Sequence, residues 1–225
     1  ISSPSVCLVL QGRKVSRIGR SDFAYGAGDC LVIGVEVPAR FQVFAEASDK
    51  PFACLSIRLD PGEVAELLPR MPLEEAAPAA GRGDERAVLV RAAGGGLQDA
   101  FLRLAGLLDR PREIALLAPV LRREVFCQLL LGPQGPCIRS LYAPDGQSSR
   151  IIRAIDWIRN NYTRQVTIEE MASLVHMSTS AFHRRFKAVT AVSPLQYHKQ
   201  LRLHEAQRLL FAGECGVATA AYRVG

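Results

Sequence analysis

The sequence predicts an α+β protein in which a run of short strands precedes a series of helices. β-branched and aromatic residues cluster in short runs between residues 6 and 59, separated by turn residues. From Leu97 onward, apolar residues recur at helical spacing. Helix-capping patterns begin at Thr167, Ser178 and Ser193. The chain should therefore have a strand-rich amino-terminal part and an all-α carboxy-terminal part.

The strand-rich part contains six predicted strands. Their spacing is typical of a β-sandwich or a small barrel. The predicted strands are residues 6–10, 14–18, 22–25, 30–35, 40–45 and 53–59. A short helix over 63–68 should follow, because Asp60 can cap it, Pro61 suits its first position and Glu63 can reach back to the cap.

Two longer helices are predicted after residues 74–96, which are rich in Ala, Gly and charge and indicate a loop. Leu97, Phe101, Leu104 and Leu108 form one apolar stripe, and the helix over 113–131 is more uniformly apolar. This helical pair should cover the barrel or form a subunit interface. Residues 132–149 resemble a polar linker, so the predicted divisions are 1–73, 74–149 and 150–225.

The positive charge of the chain is concentrated in its last third. Residues 150–225 carry 11 Lys and Arg against 5 Asp and Glu, whereas residues 1–149 carry 17 of each. Such an excess is compatible with a nucleic-acid partner, although charge alone favours an ordinary solvated surface. No apolar run approaches the roughly 20 residues of a membrane helix, which argues against a membrane partner.

The six cysteines are scattered, without a CxxC pair. This spacing argues against a zinc site and against a disulfide scaffold. Buried thiols in a reducing cytoplasm are the expected case, and a redox or electrophile sensor remains an alternative.

Residues 167–194 have the features of a helix-turn-helix. Thr167 and Glu170 have the spacing of a capping box, and the helix that they begin carries Met171 and the small Ala172 on its apolar face. His176 and Met177 form the predicted turn, where the first residue needs a positive φ that Gly adopts more easily than His. Ser178 is the predicted cap of the second helix.

The second helix has two distinct faces. Phe182, Phe186 and Val189 recur at core spacing, while a polar and basic face lies opposite. In a recognition helix such a face contacts base edges and phosphates, and Arg184 has the donors to bind guanine. An ordinary amphipathic helix is the alternative for a lone helix, but the two caps and the turn favour DNA. The predicted DNA-binding residues are Thr179, Ser180, His183, Arg184 and Lys187.

A long helix should follow from Pro194 to about residue 210, with Ser193 as its cap. Residues 217–225 repeat the opening of the first unit, with a short Ala-rich helix followed by Gly225. We therefore expect a second helix-turn-helix whose recognition helix lies beyond Gly225. Because the first residue is Ile rather than Met, we also expect residues upstream.

Residues 150–225 resemble the DNA-binding domain of the AraC/XylS transcription regulators. The resemblance rests on TIEEMA at 167–172, FHRRFK at 182–187, SPLQY at 193–197 and LRLHEA at 201–206. QGRK at 11–14 and the residues around Tyr25 and Asp60 resemble the cupin-like amino-terminal domain of one branch of this family. The resemblance implies a cytoplasmic bacterial homodimer that binds double-stranded DNA in the major groove, with RNA polymerase as a further partner and transcriptional activation as its output.

Cupin-like domains include metal enzymes, but all four histidines lie at or beyond residue 176. We therefore expect no catalytic residue, metal or cofactor in the strand-rich part. The leading hypothesis is a sensor whose effector, or a protein partner, changes how the DNA-reading part is presented. There are two alternatives: a domain that only dimerises and a cupin-type enzyme. The predicted effector pocket is lined by Phe23, Tyr25, Ile33, Val35, Phe41 and Val43, each of which would also serve as core.

Overall fold

The computed structural model describes residues 1–71, 86–143 and 146–225. Within them, strands form two antiparallel sheets with the orders β6-β1-β4-β7 and β3-β2-β5. All six predicted strands are present, with ends within two residues of prediction. The strands are β1 Ser5–Gln11, β2 Arg13–Ile18, β3 Ser21–Gly26, β4 Asp29–Ile33, β5 Ala39–Phe44, β6 Ala53–Arg58 and β7 Val88–Ala92.

Strand β7 corrects the predicted loop over 74–96. It pairs antiparallel with β4, with Leu31 opposite Val90, and buries Val88 and Leu89. The prediction missed it because this short apolar run is flanked by Ala and Gly, which obscure its strand pattern. Residues 74–85 of the predicted loop lie outside the described residues.

The expected closed barrel is not found among the described strands. After β5 the chain crosses to the four-stranded sheet. There β6 pairs with β1, and Ser56 lies opposite Cys7. Strands β5 and β6 are therefore edges of different sheets, with no ladder between them. The spacing of strands along a sequence does not specify which strands pair, so the prediction of a sandwich or barrel left this open.

Helix α1, Pro61–Leu67, follows β6 and continues as a 3₁₀ turn over Leu68–Arg70. Asp60 caps it as predicted, because its Oδ1 accepts a hydrogen bond from the Gly62 amide at 2.8 Å. The Glu63 carboxylate does not complete the capping box. It instead accepts a hydrogen bond from Arg122 of the following helical pair and so ties α1 to that pair.

The predicted helical pair is present as α2, Gly95–Ala105, and α3, Pro111–Leu131, with a 3₁₀ turn over Gly106–Asp109 between them. The carboxy-terminal half of α3 buries Val125, Phe126 and Leu129 in the core. In its first ten residues none is buried, although several are apolar. This half of α3 therefore leaves an apolar surface uncovered.

Helix α4, Gly135–Tyr142, corrects the predicted linker over 132–149. It buries Ile138 and Leu141, and the Tyr142 hydroxyl donates a hydrogen bond to the Gly34 carbonyl oxygen after β4. The adjacent Gly and Pro residues indicated a linker, but Pro is also favoured in the first turn of a helix, where Pro136 lies. The next helix also begins earlier than expected, at Gln147 rather than residue 150.

One hydrophobic cluster runs from the four-stranded sheet through the helical pair into the carboxy-terminal helices. It includes Val6, Phe126 and Ile155 and continues to Phe186. Each fully buried side chain of this size contributes about 1.5–3 kcal/mol to folding. The helices of the described ranges include none with the length and apolarity needed to cross a membrane.

The six cysteines are free thiols. Burial raises the pKa of Cys7 and of Cys30 to about 12, so both remain protonated at neutral pH. A thiol reacts mainly as its thiolate, and these two positions therefore do not favour the redox-sensor alternative.

Candidate nucleic-acid interface

The carboxy-terminal part consists of five helices. The predicted helix-turn-helix is formed by the second and third of them. The helices are α5 Gln147–Asn160, α6 Ile168–Leu174, α7 Thr179–Thr190, α8 Pro194–Phe211 and α9 Val217–Val224.

Helix α6 begins as its sequence predicts. The Thr167 hydroxyl accepts a hydrogen bond from the Glu170 amide at 3.2 Å, and Met171 and Ala172 are buried. The Glu170 side chain accepts a hydrogen bond from Arg164, which precedes the helix, so that carboxylate serves as an ion-pair partner. The cap itself therefore comes from Thr167, and the ion pair fixes the loop before it.

The turn between α6 and α7 depends on His176, which has a φ of 54°. Its amide donates to the Ser173 carbonyl at 3.0 Å, and the Met177 amide donates to the Ala172 carbonyl at 3.0 Å. This pair of bonds closes the end of α6 in the way a left-handed residue normally permits. The predicted positive φ at His176 is confirmed.

Helix α7 is held by its apolar face. Ser178 caps it by accepting a hydrogen bond from the Ala181 amide at 3.3 Å, and Phe182, Phe186 and Val189 are fully buried. The ring centroids of Phe182 and Phe186 lie 5.5 Å apart. The orientation of α7 is thus fixed by three side chains that point away from its polar face.

The five predicted DNA-binding side chains share the opposite side of α7. At the helical repeat of about 100° per residue, these five side chains fall within an arc of about 140°. Thr179, Ser180, Arg184 and Lys187 are exposed, and His183 is half-buried. Within the described ranges, neither Arg184 nor Lys187 has a carboxylate partner. This face can present two cations, two hydroxyls and an imidazole to a ligand.

Helix α8 packs against the back of α7. Ser193 caps α8 through the Gln196 amide at 3.4 Å, and Pro194 occupies its first turn as predicted. Tyr197 is fully buried with its ring 5.6 Å from that of Phe186. Burial raises the pKa of Tyr197, so its phenol stays neutral.

Arg202 of α8 connects the turn that follows α5 to α9. Its Nε donates to the carbonyl oxygens of Tyr162 at 2.8 Å and Val224 at 2.7 Å. His198 Nε2 lies 2.8 Å from the same Tyr162 oxygen, and burial lowers the pKa of this imidazole. Helix α9 is therefore held against α8 by a polar contact as well as by the small cluster around Leu209.

The helix-turn-helix formed by α6 and α7 is the reading unit. The strand-rich part contacts this reading unit at the carboxy-terminal end of α7. The Ala87 amide donates to the Val189 carbonyl at 3.0 Å. A Cβ placed on Gly19 would lie 2.5 Å from the Ala191 carbonyl oxygen, which shows how closely the β2–β3 turn approaches. Glu36 forms an ion pair with Arg159 of α5 at 2.8 Å. These contacts leave the polar face of α7 open.

The predicted effector-pocket residues divide between the two sheets. The register of the three-stranded sheet places Tyr25 and Val43 opposite Lys14, and Phe23 and Phe41 opposite Ser16. Directly opposite residues share a face, so these four side chains lie on one face of that sheet. Ile33 is buried at the end of β4, and Val35 is buried just after it.

A cavity of about 330 Å³ lies between the two sheets. Of the six predicted residues, Ile33 and Phe41 line it, whereas the other four do not. It opens along β5, where Phe41 is 62% and Val43 49% exposed. Lys14 and Ser16 also line it, which the sequence prediction missed because it named only apolar and aromatic residues.

Comparison with known proteins identifies the family. Residues 1–137 match the model of the AraC-type transcriptional regulator N-terminus. The chain belongs to the AraC family. Residues 171–225 match the model of a helix-turn-helix domain, in agreement with α6 and α7. The predicted family membership is confirmed, and because AraC-family members are transcription regulators and not enzymes, the cupin-enzyme alternative is excluded.

Curated AraC-family relatives include two that are described as the HTH-type transcriptional activator RhaS. The one from Yersinia pseudotuberculosis serotype I (strain IP32953) is 32% identical over 126 residues, which cover 56% of this chain and 44% of that protein. The one from Yersinia pestis (strain Pestoides F) gives the same identity and coverage. The chain thus spans about half the length of the curated relatives it matches.

Solved structures show the same fold. ToxT from Vibrio cholerae strain SCE256, with an unsaturated fatty acid bound, superposes with a TM-score of 0.61 at 10% identity, covering 100% of this chain and 79% of that one. A second ToxT structure, of a P21 crystal form, has a TM-score of 0.61 at 11% identity, covering 100% and 81%.

Proposed function

We propose that the protein is a sequence-specific DNA-binding transcription regulator that reads the major groove with α7. The observation that carries this proposal is the division of α7 into two faces. Phe182 and Phe186 are buried, while Ser180, Arg184 and Lys187 are exposed on the other side. A recognition helix needs such an arrangement, because its core face fixes the angle at which its polar face enters the groove.

The residues of the exposed face have different proposed roles. Arg184 would donate two hydrogen bonds to guanine O6 and N7, since its guanidinium lacks a carboxylate partner in the described part of the chain. Thr179, Ser180 and His183, which lie nearer the start of α7, would contact base edges or nearby phosphates. Lys187, one turn further along, would bind a phosphate and contribute to affinity on any sequence.

The charge distribution supports the same reading. Residues 150–225 have a net excess of six basic side chains, whereas residues 1–149 are neutral. Neutralising phosphates releases condensed counterions, so binding should weaken steeply as salt rises. We assign DNA binding to residues 150–225 and regulation to residues 1–149, within the cytoplasm.

A small-molecule effector is proposed to bias this regulatory part. ToxT, which has the same fold, was solved with an unsaturated fatty acid bound. In this chain, Gly19 and Ala87 of the strand-rich part touch the end of α7. A ligand that favours one arrangement of the sheets would therefore change the position of the reading unit. Dimerisation without sensing is the second candidate for this part.

The uncovered half of α3 supports a homodimer. Leu116 is 78% and Val120 62% exposed, and Leu108 before the helix is also exposed. Apolar side chains that cluster on a surface commonly mark a subunit interface. A dimer would place two reading units on one DNA site. Because the RhaS relatives are transcriptional activators, we propose activation, with RNA polymerase as a further partner.

Selection from a random duplex library tests the DNA-binding proposal. The wild-type chain should enrich a defined sequence, and its affinity for that sequence should fall as salt rises. Arg184→Ala should relax the preference at one guanine position and weaken binding by about 1–3 kcal/mol. Lys187→Ala should instead weaken binding to all sequences and reduce the salt dependence.

Two outcomes would count against the proposal. If the wild-type chain enriches no sequence and binds all duplexes alike, α7 is not a sequence reader. If Arg184→Ala and Lys187→Ala weaken every duplex to the same extent, Arg184 is a phosphate contact.

A further inference from the structure

The cavity between the two sheets has a positively charged lining. Lys14 reaches it from the three-stranded sheet and Arg58 from the four-stranded sheet. Among the described residues that line the cavity, none is Asp or Glu. The register supports this placement, because Lys14 shares its face with Val43 and Tyr25, and Arg58 lies opposite Ser5 at the end of β1.

Neither cation is neutralised by its surroundings. No carboxylate within the described ranges forms an ion pair with Lys14 or Arg58. The Lys14 ammonium instead lies 4.3 Å from the centre of the Phe41 ring. A cation–π contact attracts the ammonium but gives it no counter-charge. An anion in the cavity would provide that counter-charge.

The remaining walls are apolar. Leu31 and Ile33 line the cavity from β4, Ile57 from β6 and Phe41 from β5. Phe41 is the most exposed of these, so an occupant would cover apolar surface that now faces solvent. A volume of about 330 Å³ is at the lower end of the range for small-molecule sites in proteins.

We propose that this cavity binds a small organic anion with an apolar body. The acidic group would lie between Lys14 and Arg58, and the apolar body would lie against Ile33 and Phe41. This inference rests on the effector-responsive part of the proposed function and names the chemical class of the effector. A bare metal cation would be repelled by both charges.

The need for an anionic group on the ligand is tested with two probes of nearly the same shape. Anilinonaphthalene sulfonate carries an anionic group, and N-phenylnaphthylamine is its uncharged analogue. Both become fluorescent in an apolar site, so titration of the purified chain gives their affinities directly. Lys14→Gln should weaken binding of the sulfonate about tenfold, because a charge-assisted hydrogen bond is lost, and should leave the uncharged probe unchanged.

Three further variants locate the site. Lys14→Arg should retain most of the sulfonate affinity, since it keeps the charge. Phe41→Ala, an exposed and therefore tolerated change, should weaken both probes. Arg13→Gln removes the neighbouring cation, whose guanidinium lies over Phe44 on the other face of the sheet, and should alter neither.

The inference would be overturned if Arg13→Gln weakened sulfonate binding as much as Lys14→Gln, because the probe would then respond to overall charge. It would also be overturned if Phe41→Ala affected neither probe, or if the uncharged probe bound as tightly as the sulfonate. These titrations contain no DNA, so their failure leaves the result of the duplex selection intact.

Discussion

The ring of Phe186 meets the ring of Tyr197 edge-on, with 5.6 Å between centroids and an angle of 80° between planes. This contact joins α7 to α8, and both rings are fully buried. Phe186→Ala should lower the free energy of unfolding by about 3–5 kcal/mol, because it leaves a cavity at the centre of the reading unit. Denaturation in urea measures the change.

Leu195→Ala provides the control for this variant, since Leu195 lies on α8 but is 47% exposed. It should change stability by less than about 0.5 kcal/mol. If the urea denaturation of Phe186→Ala had the same midpoint and slope as that of the wild type, the result would contradict the packing of α7 against α8.

The contact between Gly19 and Ala191 is expected to hold the sheets against the reading unit. Gly19→Ala would bring a Cβ to 2.5 Å from the Ala191 carbonyl oxygen, at a backbone φ of 61°. Gly28→Ala is a matched control, because its φ is 85° but its Cβ would meet nothing within 4 Å. Both variants should lose stability through positive φ, by about 1–2 kcal/mol.

Only Gly19→Ala should also loosen the contact between the sheets and α7. Limited proteolysis, or hydrogen exchange at the Ala87 amide, should reveal this loosening, since that amide donates to Val189. Equal protection of Ala87 in the two variants would mean that the turn at Gly19 does not support this interface.

His176 has a left-handed backbone that glycine adopts without strain, with a φ of 54°. His176→Gly should therefore stabilise the chain by up to about 1 kcal/mol, after the larger unfolded-state entropy of glycine is included. His176→Val should destabilise it by more than this amount, because a β-branched residue is poorly tolerated at positive φ. A higher melting temperature for the valine variant would contradict the turn geometry.

The helix-turn-helix was predictable because its determinants are local. Thr167, Ser178 and Ser193 act as caps within three residues of their partners, and the turn requires a special φ at His176 alone. The cavity between the two sheets was only partly predictable. Alternation identified Ile33 and Phe41 as candidates for its lining, but the involvement of Lys14 depends on the register between β2 and β5.

Long-range pairing accounts for the errors. The sequence between β5 and β6 does not indicate that β6 pairs with β1. Because of this pairing, β5 and β6 form no ladder, and the cavity between the two sheets stays open along β5. Strand β7 and helix α4 are short elements whose stability comes from packing on β4 and Gly34 rather than from their own sequence. Local patterns are weak predictors of such elements.

His198 should make folding sensitive to acid. Burial lowers its pKa below the usual 6.5, so the unfolded chain binds a proton more readily than the folded one. Stability should therefore be fully present above about pH 6.5 and should fall as the pH decreases through 6.5 toward the lowered folded-state pKa. Urea midpoints at pH 7.5 and pH 5.5 measure this loss.

His198→Gln should reduce the difference between the two pH values, since Gln can still donate to the Tyr162 carbonyl but does not titrate there. The difference should not vanish, because burial also lowers the pKa of His204. Lys199→Gln, an exposed change at the adjacent position, should retain the wild-type difference. An unaltered difference in His198→Gln would assign the acid sensitivity to other groups.

The most direct test of the central claim is chemical footprinting of the groove on the duplex that the wild-type chain selects. Dimethyl sulfate methylates guanine N7 in the major groove and adenine N3 in the minor groove. If α7 reads the major groove through Arg184, the wild-type chain should protect one guanine N7 in each site, and Arg184→Ala should lose this protection while adenine N3 stays reactive throughout. Protection of adenine N3 alone, or guanine protection that persists in Arg184→Ala, would contradict the account.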